Sequence, residues 1–189
     1  MIQIQHNGTS RKFGIDNVWL STDWHLFHKN ILKYEGRPEG FEKLILDNVR
    51  EKVGEDDIVI NLGDLIFKRH AEIIQIMQSL PGTHILVLGN HDRNKPNWYR
   101  SHGFHWVCRT YEYKDILFSH RPLDLTQWPN LKYNIHGHFH TKNRDDITRT
   151  RDFYPFYTEN HFLLSLEEMM YQPIRLKDFM LSNGVEYDK

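Results

Sequence analysis

The sequence is poor in the features that mark an oxidised compartment, a membrane or a partner held by bulk charge. Cys108 is the single cysteine among 189 residues, so no internal disulfide can form. A reducing, cytoplasmic setting is the expectation. No apolar run approaches the ~20 residues that span a bilayer. Mean hydropathy is -0.64, and no membrane association is expected. The opening stretch MIQIQHNGTSRKFG shows no charged-then-apolar leader pattern. Neither charge sign is in excess: 24 Lys and Arg face 25 Asp and Glu, a net charge of -1. That balance argues against a polymeric nucleic acid or a basic membrane surface bound through bulk charge. A locally positive pocket remains compatible with it. Internal repeats, low-complexity tracts and Pro/Gly/Ser linkers are all missing. One domain over 1–189 is expected at ~100–200 residues per domain, with 1–16 as an N-terminal β-hairpin extension. A chain of this size buries ~70% of its unfolded surface without staples.

Glycine is sparse too, at 11 residues, and is outnumbered by 13 histidines. Histidine titrates near neutrality and is costly to bury without a partner, so its placement is informative. The apolar pattern sets the frame. Residues 2–6 and 11–15 read as strands joined at Asn7-Gly8, a strong hairpin signal. Short apolar runs at 18–20, 58–62, 85–88 and 133–135 read as strands, as do 104–113, 115–119 and 161–167. Phe41, Leu44, Ile45, Val49 and Val53 follow helical spacing, as do Ile73, Ile74, Met77 and Leu80. Residues 175–181 predict a last helix, stopped by Asn183-Gly184. Alternation early in the chain favours parallel pairing, and the strand-rich later chain favours hairpins. Together they predict a layered α/β domain with mixed sheets.

Five apolar runs each end in a segment rich in Asp, Asn or His. These are Asp23-Trp24-His25, Gly63-Asp64, Gly89-Asn90-His91-Asp92, Ser119-His120 and Gly137-His138-Phe139-His140. Any one alone reads as a solvated turn, since Asn and Asp favour turns. Five in order, each after a predicted strand, do not. Ligands of α/β sheets bind beyond the carboxyl ends of strands, so the five loops should converge on one rim. Carboxylate, amide oxygen and imidazole without thiolate suit Mn, Fe, Zn or Ni. A carboxylate can bridge two cations, and a cation pair ~3.5–4 Å apart is the usual device for phosphoryl chemistry.

These segments resemble the five motifs of the calcineurin-like metallophosphoesterases. They are most similar to the small bacterial and phage phosphoesterases of that superfamily. His28-Lys29-Asn30-Ile31, Gly36-Arg37-Pro38, Ser119-His120-Arg121-Pro122-Leu123 and Gln172-Pro173-Ile174-Arg175-Leu176 extend the likeness to residues 17–180. The resemblance implies a four-layer αββα sandwich of two mixed β-sheets flanked by helices. It implies two divalent metal ions, Mn2+ first, with Fe, Zn or Ni as alternatives. Asp23, His25 and His140 would hold one ion, Asn90, His120 and His138 the other, and Asp64 would bridge them. His91 would contact the scissile phosphate or protonate the leaving oxygen. Asp92 would orient His91 or brace the turn.

Substrate contacts are expected from His28, Arg37 and Arg121, against alternatives of a helix start, a surface salt bridge and a solvated side chain. The implied reaction is hydrolysis of a small phosphate ester. A phosphodiester is favoured, from a nucleotide or small cyclic nucleotide, with a phosphomonoesterase or nuclease as alternatives. A non-catalytic scaffold of this fold is the rival from another class, but such a scaffold lacks the histidine found here as His91.

Three departures bear on these expectations. The protein phosphatase branch carries an Asp and an Arg after its Gly-Asp motif, where this chain has Leu65-Ile66-Phe67-Lys68-Arg69. Arg121 stands where relatives often have an aromatic. Leu163 stands where relatives often have a polar Asn. Oligomeric state is not readable from the sequence.

Overall fold

The structure, a computed structural model, describes residues 2–6, 9–68, 71–140 and 153–186. Strands β1 (Ile2–His6) and β2 (Thr9–Phe13) pair antiparallel, Ile2 against Phe13 and His6 against Thr9. The predicted turn at Asn7-Gly8 between them lies outside the described residues. The second strand is shifted from the expected 11–15, because Ile15 is buried at the start of a 3₁₀ turn.

Two mixed sheets follow, with flanking helices. The first contains β3 (Val18–Ser21), β4 (Ile58–Asn61), β5 (Thr83–Val87), β6 (Trp106–Cys108) and β11 (Ile174–Arg175), in the order β11-β3-β4-β5-β6. Strands β3 to β6 are parallel, and β11 runs antiparallel along β3. The second contains β7 (Thr110–Tyr113), β8 (Ile116–Ser119), β9 (Tyr133–His136) and β10 (His161–Leu163), in the order β10-β9-β8-β7.

Leu20, Ile58, Ile60, Ile85 and Val87 face Ile116, Phe118, Ile135 and Phe162 in the core between the sheets. Helix α5 (Leu176–Ser182) adds Leu176, Phe179 and Met180 to that core. On the other face of the first sheet, Trp19, Val59 and Leu86 pack with α2 (Phe41–Lys52), α3 (Ile73–Gln78) and α4 (Pro96–Arg100) through Ile45, Val49, Ile73, Met77 and Tyr99. Both faces of β3, β4 and β5 are therefore buried. This is why these strands read as unbroken apolar runs. A short helix α1 (Ile31–Tyr34) follows the first of the Asp/His-rich loops. Among the described residues no helix is long and apolar enough to cross a membrane.

The later chain departs from expectation in three ways. Residues 104–113 form two strands, not one. The chain leaves the first sheet after Cys108 and joins the second at Thr110, and an apolar pattern cannot show a change of sheet. Among the described strands of the second sheet only β7 and β8 form a hairpin; β8–β9 and β9–β10 are parallel. Their connections, 120–132 and 137–160, have the length that a parallel crossover needs. Beyond Leu163 the expected strand stops, although Leu164 and Leu166 remain buried.

His84 on β5 gives the fold a pH signature away from the Asp/His-rich loops. It is buried, with Nε2 3.0 Å from the Pro81 carbonyl. Burial lowers its pKa to about 4, against ~6.5 in an unfolded chain. The unfolded state therefore binds the proton more tightly. The resulting stabilisation is complete above ~6.5 and disappears as pH falls to about 4. Between about pH 7.5 and about pH 5 this one residue should account for ~2 kcal/mol of lost stability. His84→Gln keeps a donor for the Pro81 carbonyl and takes up no proton. Its urea unfolding free energy should be less pH-dependent by that amount. An unchanged pH dependence would contradict the assignment.

Candidate metal centre

The five Asp/His-rich segments follow the carboxyl ends of β3, β4, β5, β8 and β9. Parallel pairing of β3 and β4 continues past their ends. Asp23 donates its N–H to the Gly63 carbonyl and His25 to the Asp64 carbonyl, both at 2.9 Å. This pairing sets the first and second loops side by side. Asp23, His25, Asp64, His138 and His140 all have positive φ, between 49° and 78°. Asp and His enter that region more readily than most residues, but it is sparsely populated. Sequence periodicity carries no sign of it.

Glycine is required where backbone presses on these carboxylates. A Cβ on Gly137 would lie 2.1 Å from Thr22 Oγ1 and 2.6 Å from Asp23 Oδ2. One on Gly89 would lie 2.2 Å from Asp64 Oδ1.

Among the described residues two groups of side chains could each hold an ion, Asp23 with His25 and His140, and Asp64 with His120 and His138. Donor atoms within each lie within 4.8 Å of one another. The Nε2 atoms of His25 and His140 lie 3.9 Å and 4.0 Å from Asp23 Oδ1. His120 Nε2 lies 3.3 Å from Asp64 Oδ2 and 3.0 Å from Asn90 Oδ1. His138 Nδ1 lies 3.2 Å from His120 Nε2. Asp64 stands between the groups, because its Oδ2 is also 3.7 Å from His25 Nε2.

The residues fit metal. Asp23 Oδ1 and both ring nitrogens of His25 are buried without a hydrogen bond. Such atoms are costly unless something satisfies them, and a divalent cation satisfies all of these donor types. Burial lowers the His25 pKa to about 2, against the pull of Asp64. Burial, reinforced by His120, lowers that of His138 to about 3. Both rings are therefore neutral, as a ligand must be. For His120 burial acts downward, but the contact with Asp64 outweighs it and raises the pKa to about 9. A proton held there must leave when a cation enters.

Backbone and side-chain partners aim the rings. His120 Nδ1 lies 2.9 Å from the Leu62 carbonyl, which turns Nε2 toward Asp64. His140 Nδ1 lies 3.1 Å from Glu167 Oε1, which turns Nε2 toward Asp23. Arg37 donates to the same Glu167 oxygen from Nε at 2.9 Å and Nη2 at 2.7 Å. It also donates to the carbonyls of Trp24 at 3.0 Å and Asp23 at 2.7 Å. One guanidinium thus ties the Asp23 backbone to the His140 ring.

Arg37 is therefore neither the phosphate clamp nor the surface salt bridge that the sequence left open. Its side chain is 0% exposed and its donors are engaged inward. Glu167 was missed altogether: no motif marks it, and only the fold brings it to His140. Glu167→Gln should weaken metal binding at the Asp23 group by ~10–100-fold, the usual cost of losing a partner that orients a ligand. Calorimetric titration with Mn2+ would show it, and two sites of wild-type affinity would contradict it.

The remaining predicted residues are placed as follows. His91 lies outside both groups. Its N–H donates to Asp64 Oδ1 at 2.7 Å, its Nε2 is 3.9 Å from Asp64 Oδ2, and its side chain is 31% exposed. Asp92 does not hold the His91 ring. Its oxygens accept from Leu65 N at 3.1 Å, Gly89 N at 2.9 Å and Tyr99 OH at 3.4 Å. It braces the second loop against the third. His28 is buried beside His25 and His91. Arg121 is exposed, with Nη2 3.3 Å from Asn90 Oδ1.

An α/β fold of two mixed sheets gathers two Asp/His groups around one central carboxylate at its strand ends, a scaffold fit for two cations. The sequence profile of the calcineurin-like phosphoesterases matches residues 17–168, and the chain belongs to that family. It is 30% identical over 170 residues to the uncharacterized protein MJ1445 of Methanocaldococcus jannaschii, covering 84% of this chain and 86% of that one. It is 24% identical to the Gene 66 protein of Mycobacterium phage D29, covering 82% and 94%. The crystal structure of a protein of unknown function from Aquifex aeolicus, AQ665, is similar at a TM-score of 0.65 and 27% identity. That match covers 83% of this chain and 94% of the other. Family membership supports metal-dependent hydrolysis of phosphate esters.

Proposed function

We propose that this chain hydrolyses phosphodiesters of nucleotides or small cyclic nucleotides in the cytoplasm, using two divalent ions, Mn2+ first. The observation that carries this reading is the place of Asp64 Oδ2, 3.7 Å from His25 Nε2 and 3.3 Å from His120 Nε2. One carboxylate oxygen reaches both donor groups. Asp23, His25 and His140 would hold one ion, and Asn90, His120 and His138 the other, with Asp64 shared. Two bound cations supply a nucleophile at neutral pH and neutralise charge that develops on phosphoryl oxygens. His91, beside Asp64 but outside both groups, would hold a proton at Nε2 and give it to the leaving oxygen. Arg121, exposed next to Asn90, would contact the phosphate.

The chain after Asp64 supports diester over protein phosphatase chemistry. Leu65 and Ile66 are fully buried there, where the phosphatase branch carries Asp and Arg. Metal-loaded protein should turn over bis-nitrophenyl phosphate at least as well as nitrophenyl phosphate, with no meaningful activity on phosphoproteins. Preference for the monoester across several divalent metals would replace this reading with a phosphomonoesterase.

A further inference from the structure

His91 is the inner member of a row of rings that contributes to neither donor group. Its ring centroid lies 6.0 Å from His28 and 6.2 Å from Phe67. His28 and Phe67 meet edge to face at 4.0 Å. Tyr34, at the end of α1, lies 6.2 Å from His28. Phe67 is half-buried and Tyr34 is 69% exposed. A single exposed aromatic is ordinary, but this one continues a row that ends at the proposed acid.

A second observation marks the row as a place for a ligand. His28 is only 7% exposed, yet its Nδ1 has no hydrogen-bond partner on any other described residue. Buried polar atoms normally have one. The exposed Lys68 brings its ammonium to 5.4 Å from the Phe67 centroid. Ring faces, a buried imidazole nitrogen without a partner on another residue and a nearby cation match a planar heteroaromatic ring joined to a phosphate through a sugar. An alkyl group would use neither the stacking surface nor the nitrogen.

We infer that Tyr34, His28 and Phe67 form the leaving-group subsite and that it takes a nucleobase. The inference rests on the phosphodiester reading, because His91 serving the leaving oxygen puts that group on this side of the site.

The test is equilibrium binding to the Mn2+-loaded full chain, comparing adenosine monophosphate with ribose phosphate, which lacks the base. The base should tighten binding by ~10–100-fold, the worth of one stacked base. Tyr34→Ala, at an exposed position, and Phe67→Leu, which keeps apolar volume, should each remove most of that preference. Equal affinities in the wild type would overturn the subsite, as would a preference that survives both substitutions. Hydrolysis of bis-nitrophenyl phosphate, measured alongside, reports on the reaction. Base preference without diester hydrolysis would overturn the reaction and the leaving-group assignment, and leave a nucleobase site. Hydrolysis without base preference would do the reverse.

Discussion

Replacing Asp64 with alanine should leave the protein with little metal in either group and bring turnover down by several orders of magnitude. The Asp64 carboxylate reaches His25 on one side and His120 on the other, at 3.7 Å and 3.3 Å. It also accepts the His91 N–H at 2.7 Å, so the third loop is hung on it. Among the described residues no other carboxylate oxygen lies within 4 Å of ring nitrogens of both groups. Asn90 borders only the second group, 3.0 Å from His120, so Asn90→Ala should cost metal there and spare the Asp23 group. Asp64→Asn separates charge from shape, because it keeps an acceptor for the His91 N–H while removing the shared negative charge. It should fold and still lose most of its metal. Elemental analysis after dialysis decides the matter. Two equivalents retained in Asp64→Ala would end the bridging assignment.

His91→Ala should behave in the opposite way, keeping metal and fold while kcat drops by ~10²–10⁴, the usual cost of removing a general acid. The ring lies outside both donor groups and is partly exposed, so removing it opens little of the core. A proton donor acts in the transition state, so the loss should fall on kcat rather than on ground-state binding. The loss should shrink for leaving groups of low pKa such as nitrophenolate, which depart without a proton. Equal losses for good and poor leaving groups would make His91 a phosphate-positioning residue. Large metal loss would make it a ligand.

What was legible in the sequence is the convergence of the Asp, Asn and His segments on one rim, because the residue types that metal chemistry favours are few. Asp23, His25, Asp64, Asn90, His120, His138 and His140 stand immediately beyond apolar runs, and strand ends are where an α/β fold gathers its functional groups. Gly89 and Gly137 stand in the same segments, where backbone packs against Asp64 and Asp23 and leaves no room for a Cβ. What was not legible depends on partners distant in sequence. Arg37 reads equally as a phosphate clamp or a surface salt bridge until Glu167, 130 positions away, is seen to take its donors in the interior. For Asp92 the sequence leaves orienting His91 and bracing the turn both open, and only the fold, which puts its oxygens on Leu65 and Gly89, separates them. The break at Arg109 was hidden because apolar residues continue on both sides while the chain changes sheet. Parallel pairing of β8, β9 and β10 was hidden because strand-rich sequence looks the same whether connections are tight or long.

The central claim is that two ions, held around Asp64, perform phosphoester hydrolysis. It is tested most directly by adding Mn2+ stepwise to the metal-free protein and recording bis-nitrophenyl phosphate hydrolysis after each addition. The account predicts that activity is absent without metal, rises with each increment and stops rising at two equivalents per chain. A plateau at one equivalent, or full activity in the presence of a chelator, would contradict it.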